Sequence, residues 1–188
     1  MATMNLDLCL GFGELLSYPV EQHKPLAVDC YRQLQQQEPA AAAAFVEFSN
    51  FLEQQELPRI EEVYTATFDL QALCHPYVGF QLCGESQART MFLMKLQELY
   101  AEHDFSAGTE LPDHLSVLLR FIGSSADPAG NRDIIIDALL PTLEKLLKSI
   151  EARDQPYRQL LRALQIYLTT TVETELPEQQ RQKELSHG

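Results

Sequence analysis

A chain of 188 residues with 45% hydrophobic content has the length and the apolar material for one packed domain. Its formal net charge of −13 and pI near 4.7 argue against nucleic acid or anionic lipid as the main partner, because either would be repelled. A basic peptide or protein surface would instead be attracted, chiefly through faster encounter.

The N-terminal stretch "MATMNLDLCLGFGELLSYP" lacks a basic leader and carries Asp7 and Glu14 within its apolar run, so neither a signal peptide nor a membrane span is expected. Leu6, Cys9, Leu10, Gly13 and Leu16 recur at helical spacing, and Pro19 closes the run. Ala41, Phe45, Phe48 and Leu52 form a second stripe that starts after Pro39. In "LPRIEEVYTATFDLQAL", Pro58 suits a first helical turn, and Ile60, Tyr64 and Phe68 share one side with Val63 beside them.

Further along, Ala88, Phe92, Leu96 and Leu99 mark a helix from about Glu85 to His103. Leu115, Leu118, Leu119 and Ile122 predict another, with Gly123 as a left-handed C-terminal cap. Asn131 is placed to cap the next helix, with Asp133 favourable near its positive end. The pattern from Ile136 to Ile150 runs across Pro141, which predicts a kink or two abutting helices. Tyr157, Leu160, Leu161, Leu164 and Leu168 form the last stripe. No alternating strand or hairpin signal occurs. The expected fold is all-α: one helical bundle of roughly eight helices over residues 1–172, followed by a polar, frayed tail over 173–188. Connectors such as "GSSADPAGN" permit element exchange, so a monomer or a swapped dimer is expected.

Cys9, Cys30, Cys74 and Cys83 show no CxxC pairing and read as reduced, mostly buried thiols of a cytoplasmic protein. In "CHPYVGFQLC", Cys74, His75 and Cys83 are ligand types zinc accepts, but the spacing matches no finger or ribbon, and buried thiols in a connector are the simpler reading. Nucleophile elbows, phosphate-cradling loops and His-Glu-x-x-His helices are missing from the sequence, so neither a cofactor nor catalysis is expected.

Glu-Leu-Pro occurs at residues 56–58, 110–112 and 175–177, and marks element boundaries. Only the middle copy is followed by Asp113-His114. Three readings are open for that pair: a helix cap with a core histidine, a partner-binding surface, or catalysis. Adjacent helical residues point about 100° apart, which disfavours a dyad and favours the cap and core.

"YTATFDL" at 64–70, "CGESQARTM" at 83–91 and "ELPDHLSVLLRF" at 110–121 stand in this order, with "LLSYP" before them. Together they resemble the NarJ-type nitrate reductase assembly chaperones, the nitrate reductase delta-subunit family, grouped with the TorD and DmsD chaperones of molybdenum enzymes. The resemblance implies a single all-helical domain without enzymatic activity. It implies binding of the N-terminal segment of a molybdoenzyme's catalytic subunit, a respiratory nitrate reductase above all, while molybdenum cofactor and iron–sulfur cluster are inserted. It places client contact at Tyr64, Phe68, Asp69, Glu85, Arg89, Glu110, Asp113 and His114, with Gly84 and Pro112 in the same blocks. Cys83 stands where the family commonly has histidine, and Thr90 where it has glycine. On this reading Asp69, Glu85 and Asp113 meet client Lys or Arg residues, and His114, near its ordinary pKa of about 6.5, eases release by titrating. The alternatives are a small metal-dependent hydrolase using Asp113 and His114 with a ligand from 74–83, or a permanent delta subunit of the finished reductase.

Overall fold

The computed structural model describes residues 4–70, 74–150 and 155–174, and among these the chain is all-helical apart from one isolated β-bridge. The helices are α1 (Leu6–Leu15), α2 (His23–Gln37), α3 (Pro39–Gln54), α4 (Leu57–Phe68), α5 (Val78–Cys83), α6 (Gln87–Glu102), α7 (Leu115–Ser124), α8 (Pro128–Ile134), α9 (Leu140–Ser149) and α10 (Pro156–Thr174). A π-helical segment, Ile135–Leu139, joins α8 to α9. Residues 175–188, most of the expected tail and the third Glu-Leu-Pro, lie outside the described residues.

The stripes of α3, α4, α7 and α10 become buried faces, while in α1 Leu6 is exposed and in α6 Ala88 is exposed with Phe92 and Leu99 only partly buried. α1 crosses α7 closely, with Gly13 over the Ser116–Arg120 turn and Leu10 over Gly123, while Phe12 turns toward α3 and α10; α3 lies along both α10 and α2. Aromatic rings chain through the centre. Phe12 meets Phe45 at 5.7 Å and Tyr167 at 6.0 Å, Phe48 meets Tyr157 at 5.2 Å, and Tyr157 meets Phe68 at 5.3 Å and Tyr64 at 5.5 Å. Offset and edge-on rings at these separations each add to the stabilisation from area burial. The ends of the chain are tied together at Asn5. Its side chain caps α1 through the Asp7 and Leu8 amides, and its backbone exchanges hydrogen bonds with the Tyr167 hydroxyl at 3.0 Å.

Several local expectations change. Two helices, α2 and α5, lie outside the stripes read from the sequence: α2 buries mostly small side chains, Ala27 and Cys30 beside Leu34, and α5 has only six residues. Asp127, not Asn131, caps α8, accepting from the Gly130 amide at 3.1 Å. Asn131 is buried and donates to the Ile122 carbonyl at 3.3 Å. Pro141 sits in the first turn of α9, which abuts the π segment Ile135–Leu139, as the expectation of two abutting helices had it. Cys9 and Cys30 are buried free thiols, Cys83 is an exposed one, and Cys74 is buried. No helix among the described residues is long and apolar enough to cross a membrane.

Gly123 is not a left-handed cap. It lies inside α7, and a Cβ there would sit 2.6 Å from Leu10 Cγ and 2.9 Å from the Leu10 amide nitrogen. The close α1–α7 crossing therefore needs a glycine for space, not for its φ. Gly123→Ala should lower stability by about 1–3 kcal/mol through overpacking, despite alanine's better helix propensity. A lower denaturant midpoint with an unchanged slope is the expected result.

Candidate functional site

The site grows from a short extended connector. Residues 76–78 lie antiparallel to 113–115: the Val78 amide donates to the Asp113 carbonyl and the Leu115 amide to the Pro76 carbonyl, both at 2.7 Å. Pro76 cannot donate, but its carbonyl accepts, so the bridge tolerates it. The Tyr100 hydroxyl of α6 donates to the Pro112 carbonyl at 2.8 Å and pins the other side of this segment. The bridge thus holds α5 and the start of α7 together, with α6 closing over them.

Inside this corner lies an ion pair. Asp113 has no exposed surface. Arg89, in the first turn of α6 behind the Ser86 N-cap, directs Nε to Asp113 Oδ2 at 3.0 Å and Nη2 to Oδ1 at 3.5 Å. Its Nη1 pairs with Glu85, whose side chain is exposed. The guanidinium also lies 5.5 Å from the Tyr77 ring centroid and 5.8 Å from that of Phe80. Burial alone would lower the Arg89 pKa, but hydrogen bonding and charge from Asp113, then Glu85, raise it overall. Gly79 makes the approach possible, since a Cβ there would stand 2.9 Å from Asp113 Oδ2 and 3.1 Å from Arg89 Cγ.

His114 is the N-cap of α7, the role expected of Asp113. Its Nδ1 accepts from the Ser116 amide at 3.2 Å and lies 2.7 Å from the Ser116 hydroxyl, and its ring meets Tyr77 edge-on at 5.2 Å. Burial, with the nearby Arg120 charge, pulls its pKa from 6.5 down to about 4. With its pKa lowered in this way, the imidazole is neutral near pH 7.

An open cleft of about 360 Å³ lies directly outside, lined by His75, Tyr77, Phe80, Glu85, Arg89 and Leu111. Asp69 and Glu110 are exposed nearby. Their charges reach the Tyr77 phenol, whose pKa is raised by burial, then by Glu110, Asp113 and Asp69, with Arg89 opposing. Burial, then Asp69 and Glu110, also raises that of Tyr64. Leu70, Leu111 and Tyr18 add exposed apolar surface; the Tyr18 ring leans on Tyr64 at 5.6 Å.

The eight residues singled out from sequence thus divide. Asp69, Glu85 and Glu110 are exposed, and Arg89 edges the cleft. Tyr64, Phe68, Asp113 and His114 are buried, as is most of Arg89, so they lie behind the cleft surface. Tyr64 and Phe68, one turn apart on α4, pack on Tyr157, and Asp113 spends its carboxylate on Arg89. Asp113 and His114 are each bonded elsewhere, not to each other. Within 74–83, Cys74 is buried beside the Ser149 hydroxyl, His75 Nδ1 lies on the Phe68 carbonyl and Cys83 is exposed. Among the described residues no three His, Cys, Asp or Glu side chains are grouped as metal ligands. Sequence reading missed Tyr77, Phe80 and Leu111; the one available signal was the aromatic "PYVGF" between two motif blocks.

Two outcomes follow from this geometry. Arg89→Ala should cost about 3–5 kcal/mol by stranding a buried carboxylate, and adding Asp113→Leu should recover much of it, as denaturant titration would show. His114 binds its proton more readily unfolded than folded, so its contribution is full above about pH 6.5 and is lost as pH falls toward 4. Between pH 7 and 5 the protein should lose about 2 kcal/mol from this residue, with His23, also lowered by burial, adding to the fall. His114→Asn, which keeps a capping group, should flatten that limb.

Comparison with known proteins agrees with this architecture. The model of the family described as nitrate reductase delta subunit matches residues 34–163. A Bacillus subtilis protein named as the nitrate reductase molybdenum cofactor assembly chaperone NarJ is 29% identical over 104 residues, 55% of each chain. The match therefore spans about half the length of that relative. A crystal structure from Archaeoglobus fulgidus, titled as a redox enzyme maturation protein, superposes with a TM-score of 0.61 at 21% identity, covering 90% of this chain and 96% of that one, and shares the fold.

Proposed function

From the premise that the chain belongs to the nitrate reductase delta subunit family, we propose that it is an assembly chaperone for a molybdenum-containing reductase. It binds the N-terminal segment of the catalytic subunit, a respiratory nitrate reductase above all, and holds that subunit in the cytoplasm while its molybdenum cofactor and iron–sulfur cluster are inserted. It breaks no bonds itself. Family membership and the name of the Bacillus subtilis relative support the client class.

The observation that carries the reading is the cleft beside the Asp113–Arg89 pair, apolar and aromatic in its walls and flanked by exposed carboxylates. Tyr77, Phe80 and Leu111 offer apolar contact to one side of an amphipathic segment. Glu85, Glu110 and Asp69 offer charge to its Lys or Arg residues, which speeds encounter and rejects acidic competitors. Asp113, His114, Tyr64 and Phe68 act from behind, fixing the walls.

Affinity purification from the native cell should enrich a molybdoenzyme catalytic subunit; its absence under conditions where the reductase is made would sink the proposal. With a synthetic peptide of that subunit's N-terminus, the triple variant Asp69→Asn, Glu85→Gln, Glu110→Gln should bind at least tenfold more weakly and with a shallower salt dependence, at a nearly unchanged melting temperature.

A further inference from the structure

Two polar groups of the cleft, His75 and the Tyr77 phenol, are given no task by the motif blocks or the rim of carboxylates, and of these the His75 ring is the one held by a hydrogen bond. It sits half-buried in the connector between α4 and α5. Its Nδ1 lies 2.9 Å from the Phe68 carbonyl oxygen at the end of α4. A carbonyl only accepts, so the ring proton is on Nδ1 and the neutral ring keeps its lone pair on Nε2. The residue is held twice more: its own carbonyl accepts from Gln81 Nε2 at 2.9 Å, and its ring meets Phe80 edge-on at 6.0 Å. Nε2 has no hydrogen-bond partner among the described residues and is not sealed from solvent. An acceptor is thus oriented before anything binds, which lowers the ordering cost of using it.

The neighbouring groups define what it would accept from. Arg89, the cleft's own cation, is spent on Asp113 and Glu85. The unspent capacity of Glu85 and His75 is acceptor capacity, whereas Lys and Arg side chains are donors only. We infer that His75 is a specificity-determining residue of the cleft, whose Nε2 accepts a hydrogen bond from a cationic side chain of the bound segment while Glu85 supplies the opposing charge. This rests on the proposed function and adds a residue and a directional contact to it.

Two substitutions separate the two ring nitrogens. Asparagine places its amide near Nδ1, keeping the bond to Phe68 and removing the cleft acceptor. Glutamine reaches the Nε2 position with its carbonyl and gives up the Phe68 bond. With a twelve-residue amphipathic Leu/Ala/Arg peptide as probe, His75→Asn should bind about tenfold more weakly, and His75→Gln within about threefold of wild type. A citrulline version of the peptide keeps N–H donors without charge, so the His75→Asn penalty should persist on it while a Glu85→Gln penalty shrinks. Imidazole nitrogen-15 NMR of the unsubstituted protein reads the contact directly: the Nε2 resonance should move on peptide addition and Nδ1 should not. Equal peptide affinity for wild type and His75→Asn, or an unmoved Nε2 resonance in the bound complex, overturns the role of His75 and leaves the proposed function standing. Failure of wild type to bind any basic amphipathic peptide overturns both.

Discussion

The corner between α5, α6 and α7 depends on one buried charge. Asp113 has no surface and Arg89 is its counterion, so the first turn of α6 must lie over the start of α7 for the carboxylate to be tolerated at all. Gly79 lets α5 come close enough to complete the enclosure. The paired amides of Val78 and Leu115 then fix the connector that carries His75 and Tyr77. Each cleft wall is positioned by groups that satisfy this single pair or its backbone.

Such a pair adds little net stability compared with a well-packed apolar substitute, yet it punishes any arrangement that separates its members. Here that penalty acts on geometry. Arg89 is drawn inward by Asp113, and its guanidinium lies against the rings of Tyr77 and Phe80, while the Glu85 side chain remains exposed. Apolar walls with solvated carboxylates at the rim are consistent with the proposed recognition of a basic segment. On the proposed reading, the apolar contacts are ready before binding and the charges act at a distance to bring the segment in.

The motif residues accordingly perform two kinds of work. Tyr64 and Phe68 join the aromatic chain that runs through Tyr157 to Phe48 and Phe12. His114 caps α7 as a neutral ring. These positions support the surface without belonging to it, whereas Asp69, Glu85 and Glu110 stand in solvent around the opening. A sequence block that looks like a binding motif is here chiefly the frame of one.

Much of the fold was legible because helical periodicity is a local property. The stripes of α3, α4, α7 and α10 state which faces are apolar, and burial follows them, whereas in α1 Leu6 of the stripe is exposed and Leu8, Phe12 and Leu15 outside it are buried. α2 escaped because Ala27 and Cys30 are too small to make a stripe, and α5 because six residues make too little of one. The sequence by itself determined the helical class, the acidic surface and the order of the motif blocks, since these rest on residue type and spacing alone. Only the tertiary structure decided that Gly123 is a crossing point, that Asp113 answers Arg89, and that His75 lines the cleft with Nδ1 on the Phe68 carbonyl. Those assignments join residues distant in the chain, and no local pattern records which donor a buried acceptor will meet.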